Sequence, residues 1–254
     1  MTAAAVAGSR FDLGRVVRRT FAVIGRNFVV FALLSLIVAG IPEAIVRFFS
    51  LSAGAGATFD VRSGVAIGGL ISLLASCVLQ AALIHGTIAD LNGRKAVFGD
   101  CLSTGLRFLL PVVGVSFLTG LAVGLGFLLL IVPGIMMALA WCVNVPVVVV
   151  ERRGITSTFS RSAELTRGSR WPILGLFVVY ILIAWAADTL GVLITHGFDL
   201  ATLASGFNPA EWVILTLLQV AQSMLGAAGI ASIYYELRST KEGVGPETLA
   251  AVFD

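Results

Sequence analysis

Few residues in this chain can do chemistry. It has two histidines, His85 and His196, and three cysteines, Cys77, Cys101 and Cys142. Glu43 and Arg47 follow Pro42 at a spacing of four, which puts them on one helix face. Asp188 and His196 stand near the same outer end of another apolar stretch. Together these four are a candidate outer-leaflet polar cluster, since an ionisable residue inside a membrane is a functional hypothesis by default. They are also the only group able to supply paired catalytic residues to a cavity. The plainer account is that all four reach the outer head-group region by snorkelling or proximity. His85 and Asp90 form a second polar pair, at an inner boundary. One histidine and one carboxylate do not make a metal site. The cysteines have no C-x-x-C spacing and read as small apolar residues. No G-x-S-x-G, H-E-x-x-H, Walker or Rossmann pattern occurs. The expectation is therefore a non-enzymatic protein with no metal and no cofactor.

Arginine is the other chemistry-bearing residue. Arg15, Arg18, Arg19, Arg152, Arg153, Arg161, Arg167 and Arg170 are candidates for holding anionic lipid head groups, at about 1 kcal/mol each beside such a surface. Setting topology alone would also account for them.

The elements that position these residues follow from composition. Of 254 residues, 58% are hydrophobic and 12% charged, against about 25% charged in a soluble domain. Six apolar stretches, about 28–49, 64–91, 108–131, 134–150, 171–195 and 212–235, are each long enough to cross a bilayer. The four valines Val147 to Val150 resemble a strand, but an open strand in lipid leaves its backbone unpaired. They are read as the end of a transmembrane helix. Fifteen of the 17 lysines and arginines fall on one side of this arrangement, and only Arg47 and Arg62 on the other. By the positive-inside rule the basic side is cytoplasmic, with both termini inside. The expected fold is an all-α, multi-pass integral membrane protein of the bacterial inner membrane, built as three helical hairpins. Its parts are an N-terminal amphipathic interfacial segment (1–27), a six-span membrane domain (28–236) and a cytoplasmic tail (237–254). The pI near 9.0 would suit nucleic acid in a soluble protein. In a membrane protein it points instead to membrane lipids, anionic phospholipids among them, and not to nucleic acid. The N-terminus lacks the early positive charge of a signal peptide, although "AGAGA" at Ala53–Ala57 offers a cleavage-like site.

A short amphipathic segment precedes each hairpin: Leu13 to Phe28, Phe98 to Pro111, and Ile155 to Trp171. Aligning the first and third sets Arg18 on Arg161, Gly25 on Gly168 and Phe28 on Trp171, a weak internal repeat. In the third, Thr156, Ser157 or Thr158 can cap the helix. Phe159, Ala163 and Thr166 share a face, Glu164 can pair with Arg161 or Arg167, and Gly168 fits the stop. Trp171 then suits the membrane interface, and the segment reads as a helix lying along the cytoplasmic leaflet.

Uncharged polar residues occupy mid-depth: Ser72, Ser76, Gln80, Thr119, Asn144, Gln219, Gln222 and Ser223. Such groups join helices by hydrogen bonds. Gly64–Gly68 and Gly120–Gly124 have the GxxxG spacing for close helix contact. A tight turn is expected at Pro133-Gly134. Pro146 should kink the fourth span by freeing the Cys142 carbonyl, with Asn144 satisfying backbone groups nearby. A small-molecule path beside this kink is the alternative to simple packing.

The stretch "VPGIMMALAWCVNVPVVVVERRGITSTFSRSAELTRGSRW" (Val132 to Trp171) with "YYELRSTKEG" (Tyr234 to Gly243) resembles the membrane domain of some glycerophosphodiester phosphodiesterases. It also resembles related stand-alone six-helix inner-membrane proteins. The catalytic barrel of the fused proteins has no counterpart here, so no catalytic residue carries over. The resemblance implies a lipid-associated scaffold or regulator of envelope homeostasis; the alternative is a small-molecule or lipid translocator.

Overall fold

A computed structural model of the protein describes residues 11–42, 61–196 and 209–243. Every regular element among them is helical. Helix α1 (Leu13–Arg26) is capped by Asp12, whose Oδ1 accepts from the backbone N–H of Gly14 at 2.8 Å and of Arg15 at 3.2 Å. Helix α2 (Phe28–Ser35) runs into a π-helical turn, Leu36–Gly40. Between α1 and α2 the chain bends by 84°. The long α3 (Val61–Leu91) follows. Next come α4 (Phe98–Arg107), α5 (Leu109–Leu129), α6 (Ile131–Ala140) and α7 (Asn144–Glu151). Then come α8 (Ile155–Thr166), α9 (Arg170–His196) and α10 (Pro209–Glu242).

Five of these units are long and apolar enough to cross a membrane, α6 and α7 counting as one, and six if the bent pair α1–α2 is another. Their surface suits lipid. Leu110, Phe117, Leu128 and Leu129 of α5 and Ile183, Trp185 and Ile194 of α9 are all exposed. Water would penalise so large an apolar surface. A short amphipathic helix followed directly by an apolar one recurs at α1–α2, α4–α5 and α8–α9. Phe28 opens α2 and Trp171 lies one residue into α9, both exposed. Residue equivalence within the repeat is weaker. Gly168 takes a positive φ of 87° as a stop, whereas Gly25 lies inside α1. Arg18 is exposed, whereas Arg161 is largely buried.

Packing is densest at the end carrying the amphipathic helices. The largest buried side chains there include Val23, Phe31, Leu83, Ile84, Leu165, Tyr234 and Leu237. Glycine permits three close approaches. A Cβ on Gly105 would lie 2.6 Å from the Val78 carbonyl oxygen, and one on Gly86 would lie 2.8 Å from Phe31. One on Gly134 would lie 2.6 Å from the Phe127 ring. The GxxxG pair Gly120 and Gly124 makes no such contact; a Cβ on either meets nothing within 4 Å. The packing around Gly64 lies outside the described residues.

The fourth apolar stretch departs from expectation in two ways. The hairpin turns at the extended Leu130, and Pro133 sits in the first turn of α6, where a missing N–H breaks no helical bond. The break itself lies at Trp141–Val143, and Pro146 sits in the first turn of α7. Proline thus marks where a new helix starts after the break. Asn144 does not satisfy the broken backbone. Its Nδ2 donates to Thr119 Oγ1 at 2.9 Å, tying α7 to α5. The Ala140 carbonyl, freed by the break, instead accepts from Ser162 Oγ at 2.9 Å and Thr166 Oγ1 at 3.3 Å. Thr158, Ser162 and Thr166 form a fully buried hydroxyl stripe along α8, so its inner face differs from the expected Phe159–Ala163–Thr166 face. The cap of α8 also differs. Gly154 holds that position, and Ser157 and Thr158 donate to its carbonyl.

Candidate functional site: an arginine–carboxylate clasp and an open groove

The end of α10 from Tyr234 to Glu242 is gripped by three other helices. On α1, Arg15 and Arg19 are one turn apart and face the same way. Arg15 Nη2 lies 2.8 Å and Arg19 Nη1 2.6 Å from the two oxygens of Glu236, which is 2% exposed. Arg19 also lies over the Tyr235 ring, 5.0 Å from its centre. At the end of α1, Arg26 pairs with Asp90 of α3, at 2.5 Å from Nη2 and 3.1 Å from Nε. Hydrogen bonding to Asp90 raises the Arg26 guanidinium above its ordinary range. Asn27, in the bend, donates to Asp90 Oδ1 at 2.8 Å and accepts from the Ala96 N–H at 3.3 Å. One amide therefore fixes the α1–α2 bend to the end of α3.

The third grip centres on Glu151 at the end of α7. It accepts from Arg161 Nε at 3.1 Å, Arg153 Nε at 2.7 Å and the Tyr234 hydroxyl at 3.0 Å. Arg161 also pairs with Glu242, which Arg238 Nε reaches at 2.8 Å. Lys241 Nζ donates to the Glu164 carbonyl at 2.5 Å. Burial disfavours the Glu242 carboxylate, but hydrogen bonds from Arg161 and Arg238 outweigh it and hold its pKa below the ordinary value. Glu164 itself is a distant partner of Arg161, at 3.7 Å. The pairing within α8 yields to pairing across helices, where the carboxylates are less exposed: Glu151 at 8% and Glu242 at 26%, against 72% for Glu164.

The predicted arginine collar thus divides. Arg15, Arg19, Arg153 and Arg161 are engaged by carboxylates. Arg18, Arg152 and Arg167 are exposed and make no ion pair with a described carboxylate. Arg170 is half-buried at the start of α9. Arg152 takes a left-handed φ of 51°, which turns the chain sharply between α7 and α8. The clasp partners Glu236, Glu151, Asn27 and Tyr234 escaped sequence reasoning. Carboxylates at the basic ends of three apolar stretches, Asp90, Glu151 and Glu236, opposite a surplus of arginine, were the available signal. Cys101, on α4, is buried, and burial first and Asp100 second push its thiol up to about 11. That is the chemistry of an inert packing residue.

A groove of about 570 Å³ opens between α1, α3, α9 and α10, lined mostly by apolar side chains from Val17 and Phe21 to Ala187. A second cavity of about 520 Å³ shares Tyr180, Gln219, Gln222 and Ser223 with it and reaches Asp188. Gln222 Nε2 donates to Asp188 Oδ1 at 2.8 Å, and the Tyr180 hydroxyl donates to the Gln222 carbonyl at 3.1 Å. So Asp188 meets a glutamine that the sequence places on another span. Its expected companions Glu43 and Arg47, and the His196 side chain, lie outside the described residues. His85 does not pair with Asp90, which is held by Arg26 and Asn27. Among the described residues no three metal-ligating side chains converge.

Comparison with protein-family models, characterised proteins and solved structures returns no match.

Proposed function

We propose that this chain is a six-span inner-membrane protein, made of three hairpins with both termini cytoplasmic, whose clasped basic end binds anionic phospholipid. Its role on this reading is that of a lipid-associated scaffold or regulator without catalytic activity. The observation that carries it is the division of the arginines. The buried carboxylates use only part of the positive charge, and Arg18, Arg152 and Arg167 stand exposed on the elements of the amphipathic end. Each such charge is worth about 1 kcal/mol beside an anionic leaflet. The resemblance to membrane domains of glycerophosphodiester phosphodiesterases agrees with a lipid-linked role.

Native mass spectrometry from mild detergent, with phosphatidylglycerol and phosphatidylcholine added equally, tests this. Preferential retention of phosphatidylglycerol, lost when Arg18, Arg152 and Arg167 are replaced together by glutamine, supports the proposal. Equal retention of both lipids, or a preference that survives the triple change, rejects it. A translocator is the second reading. It is favoured by the groove, which runs from α1 to the amides of Gln80 and Gln222 and is lined by no residue of the fourth apolar stretch, beside which the path was expected.

A further inference from the structure

The groove has two chemical halves. Near α1 it is hydrocarbon-like, lined by Val17, Phe21 and Phe177 among others. Towards the far end it becomes polar, where it meets the cavity containing Asp188. The side-chain amides of Gln80 and Gln219 line it without a hydrogen-bond partner among the described residues. Unpaired amides at membrane depth are costly, so whatever fills the groove must offer them polar atoms. Asp188 adds a charge. Its Oδ1 accepts from Gln222, and no cation among the described residues pairs with it. Asp188 stands 18 residues along α9 from Arg170, about 27 Å at 1.5 Å per residue. That is close to the far boundary of a hydrocarbon core about 30 Å thick. Phe177 is about 16 Å nearer the clasped end by the same rise. The groove is therefore apolar at its inner end and anionic at its outer mouth.

We propose that this groove is a binding site for a single-chain amphiphile with a primary ammonium head. The ammonium meets the free side of the Asp188 carboxylate. Gln219 and Gln222 flank the head, and the chain runs along the apolar wall towards Phe21. Lone carboxylates attract cations and repel anions, so the site discriminates against fatty acids of equal length. The proposal is independent of the arginine reading. It uses a different face, the opposite charge and none of the same residues.

The test uses the full chain in dodecyl maltoside with hexadecylamine, hexadecanol and hexadecanoate as separate probes, read by native mass spectrometry. The expected result is hexadecylamine retained about tenfold over hexadecanoate, the scale of one uncompensated charge contact of about 1.4 kcal/mol. Asp188→Asn removes the advantage of the amine over the alcohol and leaves the alcohol bound. Asp188→Glu keeps the amine preference. Gly229 lines the groove, and a Cβ there meets nothing within 4 Å. Gly229→Leu therefore fills the space without a clash at Cβ and removes all three adducts. Equal retention of amine and carboxylate by the native chain, or an amine preference that survives Asp188→Asn, overturns the proposal. So does undiminished binding in Gly229→Leu. Failure of the triple arginine change to alter phosphatidylglycerol retention touches only the head-group reading.

Discussion

Replacing Glu236 with glutamine should loosen α1 from the bundle. The carboxylate is 2% exposed and faces Arg15 at 2.8 Å and Arg19 at 2.6 Å. Removing one member of a fully buried ion pair costs about 3–5 kcal/mol, because the remaining charge is stranded. Here the stranded arginines are 37% and 30% exposed, so solvent can take up part of their charge. Glutamine also keeps the volume and one carbonyl acceptor. The expected loss is about 2 kcal/mol, below the fully buried figure for these reasons. It is measured by reversible unfolding in dodecyl maltoside titrated with dodecyl sulfate. Hydrogen exchange should localise the loss to α1, since Asp12 to Arg19 hang on this carboxylate. A cycle with Arg19→Gln should give a coupling above about 0.5 kcal/mol, as expected for residues in contact. Arg18→Gln, on an exposed side chain of the same helix, should change stability by no more than about 0.5 kcal/mol. If Glu236→Gln is as mild as Arg18→Gln, and α1 exchange is unchanged, the clasp does not hold α1 and the reasoning is refuted.

Other consequences follow from the same contacts. Gly134→Ala should destabilise the α5–α6 hairpin by about 1–3 kcal/mol, the usual cost of overpacking, whereas Gly120→Ala should be neutral or slightly stabilising; thermal unfolding in detergent compares them. Glu242 has a folded pKa below its unfolded value, so the contribution of its pairing is complete above the ordinary carboxylate range, near pH 4.3. It is lost as pH falls below that range, and Glu242→Gln should flatten the acid limb of a stability–pH curve. Ser162→Ala with Thr166→Val should strand the Ala140 carbonyl and cost about 1–3 kcal/mol, seen as faster exchange across Trp141–Val143.

Where physical chemistry acts locally, the sequence was a good guide. Apolar length alone located the helices α3, α5, α9 and α10, because the bilayer sets a minimum span. Amphipathic periodicity located α1, α4 and α8, and Gly168 stopped α8 as a left-handed residue does. Partner choice was less legible. Arg161 sits three residues from Glu164, yet its close partners are Glu151 and Glu242. Only the folded chain shows that these two carboxylates need a cation more. Likewise Pro146 flagged an interruption but not its place, since a proline is tolerated just after a break as well as at one. The Asp188–Gln222 contact joins residues 34 apart in sequence on two different helices, and no spacing rule links them.

On the proposed topology the clasp and the exposed arginines form one cytoplasmic surface. Single cysteines at positions 18, 152 and 167, in a chain with Cys77, Cys101 and Cys142 replaced, test it directly. The contrast is a cysteine at Leu130, in the exposed α5–α6 turn. A membrane-impermeant maleimide applied to inverted vesicles should label positions 18, 152 and 167 and spare 130; in right-side-out vesicles the pattern should reverse. Labelling of position 130 from the same side as the arginine positions, or a split among the three, would contradict the account.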